Sequence, residues 1–149
     1  MTKGKRRKIM AMILAAFDAR TYFKHSEGAF PNVLPKTETF PSVYVFATPE
    51  DMTPLTSKEY EGRLRFTFIG FVRANNNLEL EKMDLRDEIE ETLQNLMDDN
   101  DFITTAQMIT LERTDPTPRV LADFGYSLEV KPPYGAVRID SEVLFDYDT

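Results

Sequence analysis

Asp84, Asp87, Glu88 and Glu91 stand at i, i+3, i+4 and i+7, which puts four carboxylates on one face of a helix. They are the strongest candidates for chemistry in the chain, because hard oxygen ligands hold Mg²⁺ and a bound Mg²⁺ serves nuclease and phosphotransfer sites. Such a site also wants Lys or Arg beside the acids to grip a phosphate, and only Lys82 and Arg86 are near. The preferred reading is a solvated helix face, with a Mg-dependent nuclease using the acidic face Asp84–Glu91 as the alternative.

The other routes to catalysis close quickly. There is no cysteine and a single histidine, so thiol nucleophiles, zinc ribbons, iron–sulfur ligation, disulfide frameworks and multi-His metal sites are all excluded. His25 lies between Lys24 and Ser26, beside no nucleophile elbow, and reads as a solvent-exposed side chain. Six scattered glycines form no phosphate loop. Asp98-Asp99-Asn100-Asp101 lacks the turn glycine and closing glutamate of a calcium loop, and reads as the end of a helix. No catalytic residue, metal ligand or cofactor is expected.

At 149 residues the chain fits one domain, 1–149, with enough apolar content to build its own core. Its charge is uneven. Five of the first eight residues are basic (Lys3, Lys5, Arg6, Arg7, Lys8), although the whole chain carries a net −7. An acidic body disfavours duplex binding, which rests on neutralising phosphates. The basic tip and the apolar run Ile9–Phe17 resemble the start of a secretory signal, but Phe17 and Asp18 stand where a cleavage site needs small residues. No run approaches a membrane span, and the protein is expected to stay in the cytoplasm where it is made.

Ile9, Met12, Ile13, Ala16 and Phe17 share a stripe that predicts a helix from about Arg6 to Tyr22, with Ala11, Ala15 and Ala19 on its flank permitting close approach. Lys24–Pro41 is a long connector. Ser42–Phe46 reads as a strand, Pro49–Glu61 as a loop, and Arg63–Ala74 as a long strand. On that strand Leu64, Phe66, Phe68 and Val72 make one face apolar throughout, whereas Ile69 and Phe71 make the other apolar over half its length. A second helix carries Leu85, Ile89, Leu93, Leu96 and Met97, extended by Met83, and its surroundings are acidic: Glu79–Asp101 holds ten acids against Lys82 and Arg86. Phe102–Thr105 and Met108–Leu111 look strand-like, Thr114–Pro118 is a turn or projecting loop, and Val137, Ile139, Val143 and Phe145 alternate with Ala136, Arg138, Asp140 and Glu142 in a half-buried final strand.

These elements predict a two-layer α+β fold, an antiparallel sheet of about four to five strands with two helices packed on one face. Helices on one face leave Ile69 and Phe71 unaccounted for in a lone subunit, and they are expected to form a subunit interface. The loops Thr48–Gly62 and Thr114–Val120 are expected to contact neighbouring proteins, with Asp51, Lys58, Arg113 and Arg119 as contact residues beside Arg6 and Arg7 of the basic tip.

The order of elements resembles the tail terminator (tail completion) proteins of long-tailed bacteriophages. The resemblance rests on Arg6-Arg7-Lys8-Ile9, Phe40-Pro41-Ser42-Val43-Tyr44-Val45, the strand Leu64–Arg73, the acidic helix Asp87-Glu88-Ile89-Glu90-Glu91-Thr92-Leu93, and Gly135-Ala136-Val137-Arg138-Ile139-Asp140 leading to Val143-Leu144-Phe145. It implies a structural virion protein with no enzymatic activity, forming a homo-oligomeric ring, a hexamer in that family. Such a ring caps the tail tube, ends its polymerisation and joins it to the head–tail connector protein. DNA then passes through the channel without specific binding, and an acidic lining would not hold it. Another connector or adaptor protein of the neck is the alternative within that class, and a small monomeric adaptor domain is an alternative outside it.

Overall fold

The computed structural model describes residues 4–31, 39–49, 53–54, 59–114, 121–124 and 128–148. Helix α1 (Lys5–Asp18) is followed by β1 (His25–Glu27), β2 (Ser42–Pro49), β3 (Thr53–Pro54) and β4 (Glu59–Arg73). Helix α2 (Leu78–Met97), the short α3 (Asn100–Ile103), β5 (Gln107–Thr114), a 3-10 turn at Ala122–Phe124 and β6 (Tyr134–Asp148) complete the chain. The strands form a six-stranded sheet in the order β1-β2-β4-β6-β5, with β3 added to β4. It is α+β, with apolar stripes of both long helices packed on one sheet face. One pair departs from the antiparallel expectation: β1 runs parallel to β2, His25 opposite Ser42. The connector between them is long enough to carry the chain back to the starting end, which a parallel pair requires.

Register assigns the two faces. Leu64, Phe66, Phe68, Gly70 and Val72 of β4 stand opposite Val143, Ser141, Ile139, Val137 and Gly135 of β6 on the helix side. Against them lie Ile9, Ile13 and Phe17 of α1 and Leu85, Ile89, Leu93 and Leu96 of α2, all buried. The approach is closest where the sheet has no side chain. A Cβ on Gly70 would stand 2.8 Å from Ile89 Cδ1 and 2.9 Å from Leu85 Cδ2, and one on Gly135 would meet the Lys82 stem at 2.8 Å.

Three local readings are corrected. Met83 is 60% exposed and not part of the buried stripe, because two residues before Leu85 lies roughly 200° around a helix; Leu78 extends the stripe instead. Phe102 and Ile103 belong to α3, not to a strand. Asp99 explains this: its carboxylate accepts from the Asp101 N–H at 2.8 Å and the Phe102 N–H at 3.3 Å, an N-cap that starts a new helix directly after α2. Part of the expected Pro49–Glu61 loop is strand, since Thr53 and Pro54 pair with Glu61 and Tyr60.

The larger correction concerns Ile69 and Phe71. Both are fully buried within the chain, in a second cluster with Phe40, Phe46, Leu121 and Ala136. Phe30 and Phe40, within the expected connector before β2, carry part of the missing cover, and Leu121, Phe124, Leu128 and Val130 before β6 carry the rest. These two residues are therefore not available to a neighbouring subunit.

Two substitutions test the two layers. Gly70→Ala, which ordinarily favours a strand, should lower stability by about 1–3 kcal/mol through overpacking against Leu85 and Ile89. Phe71→Asp should cost about 3 kcal/mol or more by burying a lone carboxylate, and should act on folding itself. Urea unfolding midpoints of both variants check this; a Phe71→Asp variant as stable as the parent would mean that the second cluster does not form.

Candidate interaction surface

The acidic face of α2 is already engaged. Helix α1 ends at Asp18, short of the expected Tyr22, and Arg20, two residues beyond it, donates from Nε to Glu88 Oε2 at 3.0 Å and pairs with Glu91 at 3.3 Å. Its guanidinium joins the two helices and is held protonated, first by the Glu88 hydrogen bond. Beside it a shallow cleft of about 470 Å³ is lined by Ala19, Arg20, Thr21, Tyr22 and Glu88. The Tyr22 hydroxyl is buried there, with no hydrogen-bond partner among the described residues. Burial, then the fields of Glu81, Asp84 and Glu88, push its pKa to about 12. Among the described residues, no group of three or more His, Asp or Glu side chains is arranged to hold a metal ion. Likewise, among the described residues no helix is long and apolar enough to cross a membrane. His25 contacts Glu27, Nε2 to Oε2 at 3.2 Å, and its ring lies 5.7 Å from that of Tyr44.

The second sheet face divides into two halves. One is the covered apolar cluster around Ile69 and Phe71. In the other, Arg63, Arg65 and Thr67 of β4 lie opposite Leu144, Glu142 and Asp140 of β6. Arg63 meets Glu142 at 3.3 Å, and Arg65 reaches Asp140 at 3.6 Å and Glu112 of β5 at 4.0 Å. Arg63, Arg65 and Glu112 are exposed by 40%, 45% and 65%, so this half presents mixed charge to solvent on a rigid strand platform. It can receive a protein surface of matched polarity.

Arg138 marks the border between the halves. Alternation along a half-buried strand places it on the outward face, but it is only 5% exposed and Asp140 only 4%. The guanidinium forks onto Asp123, Nη1 to Oδ1 at 2.7 Å and Nη2 to Oδ2 at 2.8 Å, and also donates to both Asp140 oxygens at 3.2 Å. Thr67 Oγ1 donates to Asp140 Oδ1 at 2.9 Å, and the Phe124 ring lies under the guanidinium at 5.1 Å. The fork ties the 3-10 turn to the sheet and so holds the cover in place. The hydrogen bond from Arg138 draws the Asp123 carboxyl below the usual carboxylate range, against the opposing effect of its burial. Alternation along β6 revealed which face Arg138 occupies. It could not reveal that a turn fifteen residues upstream supplies a carboxylate for it.

The remaining expected contact residues are dispersed. Arg7 is exposed, and the Arg6 guanidinium stands over the Phe145 ring at 5.6 Å. Arg113 lies in β5 opposite Ile139. Asp51, Lys58 and Arg119 fall outside the described residues. Arg6 and Arg7 of α1 thus lie on the helix side of the sheet and form no common site with Ile69 and Phe71, which are buried in the cluster on the other face. Compared with known protein families and with curated proteins, the chain matches none.

The fork gives a pH-dependent expectation. With the folded pKa of Asp123 below its usual value of 3.8, its contribution to stability is present in full above that value and is lost as pH falls through the folded pKa. Asp123→Asn should therefore be less stable than the parent at neutral pH, with the difference shrinking under acid. Chemical denaturation at pH 7 and in strong acid measures it, and a difference independent of pH would refute the assignment. At the alkaline end, the raised Tyr22 pKa means that folding weakens between about pH 10, where the unfolded phenol ionises, and about 12. Tyr22→Phe should remove that alkaline loss in the same titration.

Proposed function

We propose that the chain is a structural subunit that assembles with copies of itself into a ring in the neck of a long-tailed bacteriophage. In this reading it is a tail terminator, capping the tail tube, ending its growth and meeting the head connector. The observation supporting self-assembly most directly is the shape of the sheet. β4 and β6 pair over fifteen residues each, roughly 50 Å at about 3.4 Å per residue. β2 pairs β4 only as far as Leu64, and β5 pairs β6 only as far as Leu144. Among the described residues the ladder runs on through Glu59–Gly62 and Phe145–Asp148 with only β3 beside it. Strand edges of this kind are templates for pairing with another chain. A ring closes them.

The charged half of the second face, with Arg63, Arg65 and Glu112, then faces neighbouring proteins of the tail. The acidic α2 suits a channel through which DNA slides without binding. The placement as terminator, rather than another adaptor of the neck, follows the order of elements in the sequence. The engagement of Glu88 and Glu91 by Arg20 weakens the nuclease reading, because both acids are committed to a cation before any Mg²⁺ arrives.

Light scattering and electron microscopy of the purified chain at high concentration should show a closed ring, and adding it to polymerising tail tubes should fix their length. Incubation with duplex, branched and single-stranded DNA and Mg²⁺ or Mn²⁺ should leave the DNA intact. Cleavage abolished by Asp87→Asn in a folded variant would replace the structural reading with the nuclease.

A further inference from the structure

The sheet leaves two strand edges open, one towards each end. β5 is the last strand in the order β1-β2-β4-β6-β5, so one row of its backbone N–H and C=O groups has no strand beside it among the described residues. Edges that must be kept from pairing with other chains ordinarily carry proline or lysine; β5 carries neither, and apart from the shift between Met108 and Thr110 its pairing with β6 is regular. At the other end β1 covers β2 only from Ser42 to Tyr44, which leaves Val45–Pro49 with an outer edge of the same kind among the described residues.

Chain direction makes these two edges complementary. β2, β4, β6 and β5 each run antiparallel to the next, so β2 and β5 point opposite ways. A second copy set beside the first in the same orientation therefore brings its β2 antiparallel to β5, and the alternation continues through the junction. The Pro49 end of that β2 then points towards Gln107. There a groove of about 380 Å³, lined by Met97, Phe102, Ile103, Ala106, Gln107 and Met108, opens beside the edge, with Ile103 51% exposed. A strand added to an open edge takes its affinity from main-chain hydrogen bonds and its specificity from such a groove.

We infer that the outer edge of β5 pairs, antiparallel, with Val45–Pro49 of β2 in a second copy of this chain, so that the two sheets become one and the groove is covered. The contact joins unlike edges, so a pair of copies still offers one edge of each kind, and repetition generates a ring if the rotation closes. The contact presupposes the proposed self-assembly and supplies its interface.

The absence of cysteine from the chain allows a selective test. Thr48 and Glu112 are exposed and share a sheet face, opposite Arg65 of β4 and Asp140 of β6 in register. Within one chain β4 and β6 lie between them, about 14 Å of sheet. Treated with a short bismaleimide, Thr48→Cys and Glu112→Cys should each give no cross-link alone, whereas the double variant should run as a ladder of covalent multimers under denaturing conditions. Leu111→Pro and Glu112→Pro supply an independent measurement, because the N–H groups of consecutive strand residues point to opposite sides. One of the two should melt lower by losing a bond to β6; the other should keep the parent's melting temperature and yet associate more weakly by about tenfold or more in analytical ultracentrifugation. A parent that associates but yields no ladder, or proline variants that both associate as the parent does, overturns the contact and leaves the ring reading standing. Cross-linking of either single variant overturns it in favour of a two-fold contact between like edges. A parent that stays monomeric at every concentration overturns the contact and the ring together.

Discussion

The missing side chain at Gly70 is the constraint on which the rest of the molecule depends. In the middle of a sheet a glycine is ordinarily a weakness, since it packs nothing and costs backbone entropy. Here Leu85 and Ile89 descend into the space a Cβ would take. That depth seats α2 directly over the β4–β6 pair and brings Leu93 and Leu96 into the same core. With α2 fixed there, the α1 stripe packs beside it, and Arg20, two residues beyond α1, meets Glu88 and Glu91. The acidity of α2 and its anchoring are then parts of one arrangement.

With both long helices committed to one face, the other needs another cover, and the chain supplies it from irregular segments. Such a cover lacks the regular hydrogen bonds of a helix, so what holds it must come from side chains. Ring contacts of Phe124 with Phe30 and Phe46 supply one part, at centroid distances of 5.6 and 5.3 Å. Arg138 supplies the other. A buried guanidinium is costly unless its donors are satisfied, and here Asp123 and Asp140 accept from all three nitrogens. Losing the turn would leave that charge buried with one partner fewer. The polar border therefore specifies where the cover sits more than it adds to stability, and it separates a dry apolar half from an open charged one on the same strands.

Periodicity determined much of this protein from the sequence alone. The α+β class, the helix faces, the long strand covered throughout on one side and over half its length on the other, and the closing strand are all carried by side chains spaced at the helical or strand repeat. Local spacing is sufficient there because burying an apolar face is required whichever partner covers it. The absence of thiols and of more than one histidine likewise bounded the chemistry without reference to any fold. What periodicity does not carry is the identity of the partner. Nothing local distinguishes Ile69 and Phe71 facing another subunit from the same residues beneath Phe40, Leu121 and Phe124 of their own chain. Nor does spacing show that Arg20 reaches Glu88 across 68 residues, or that Arg138 is buried on Asp123. The parallel β1–β2 pair and the start of α3 at Asp99 were decided in the same way, by how far a connector can return and by which backbone N–H groups a carboxylate finds nearby. Those outcomes depend on distances closed only when the sheet forms, which is why only the tertiary structure decided them.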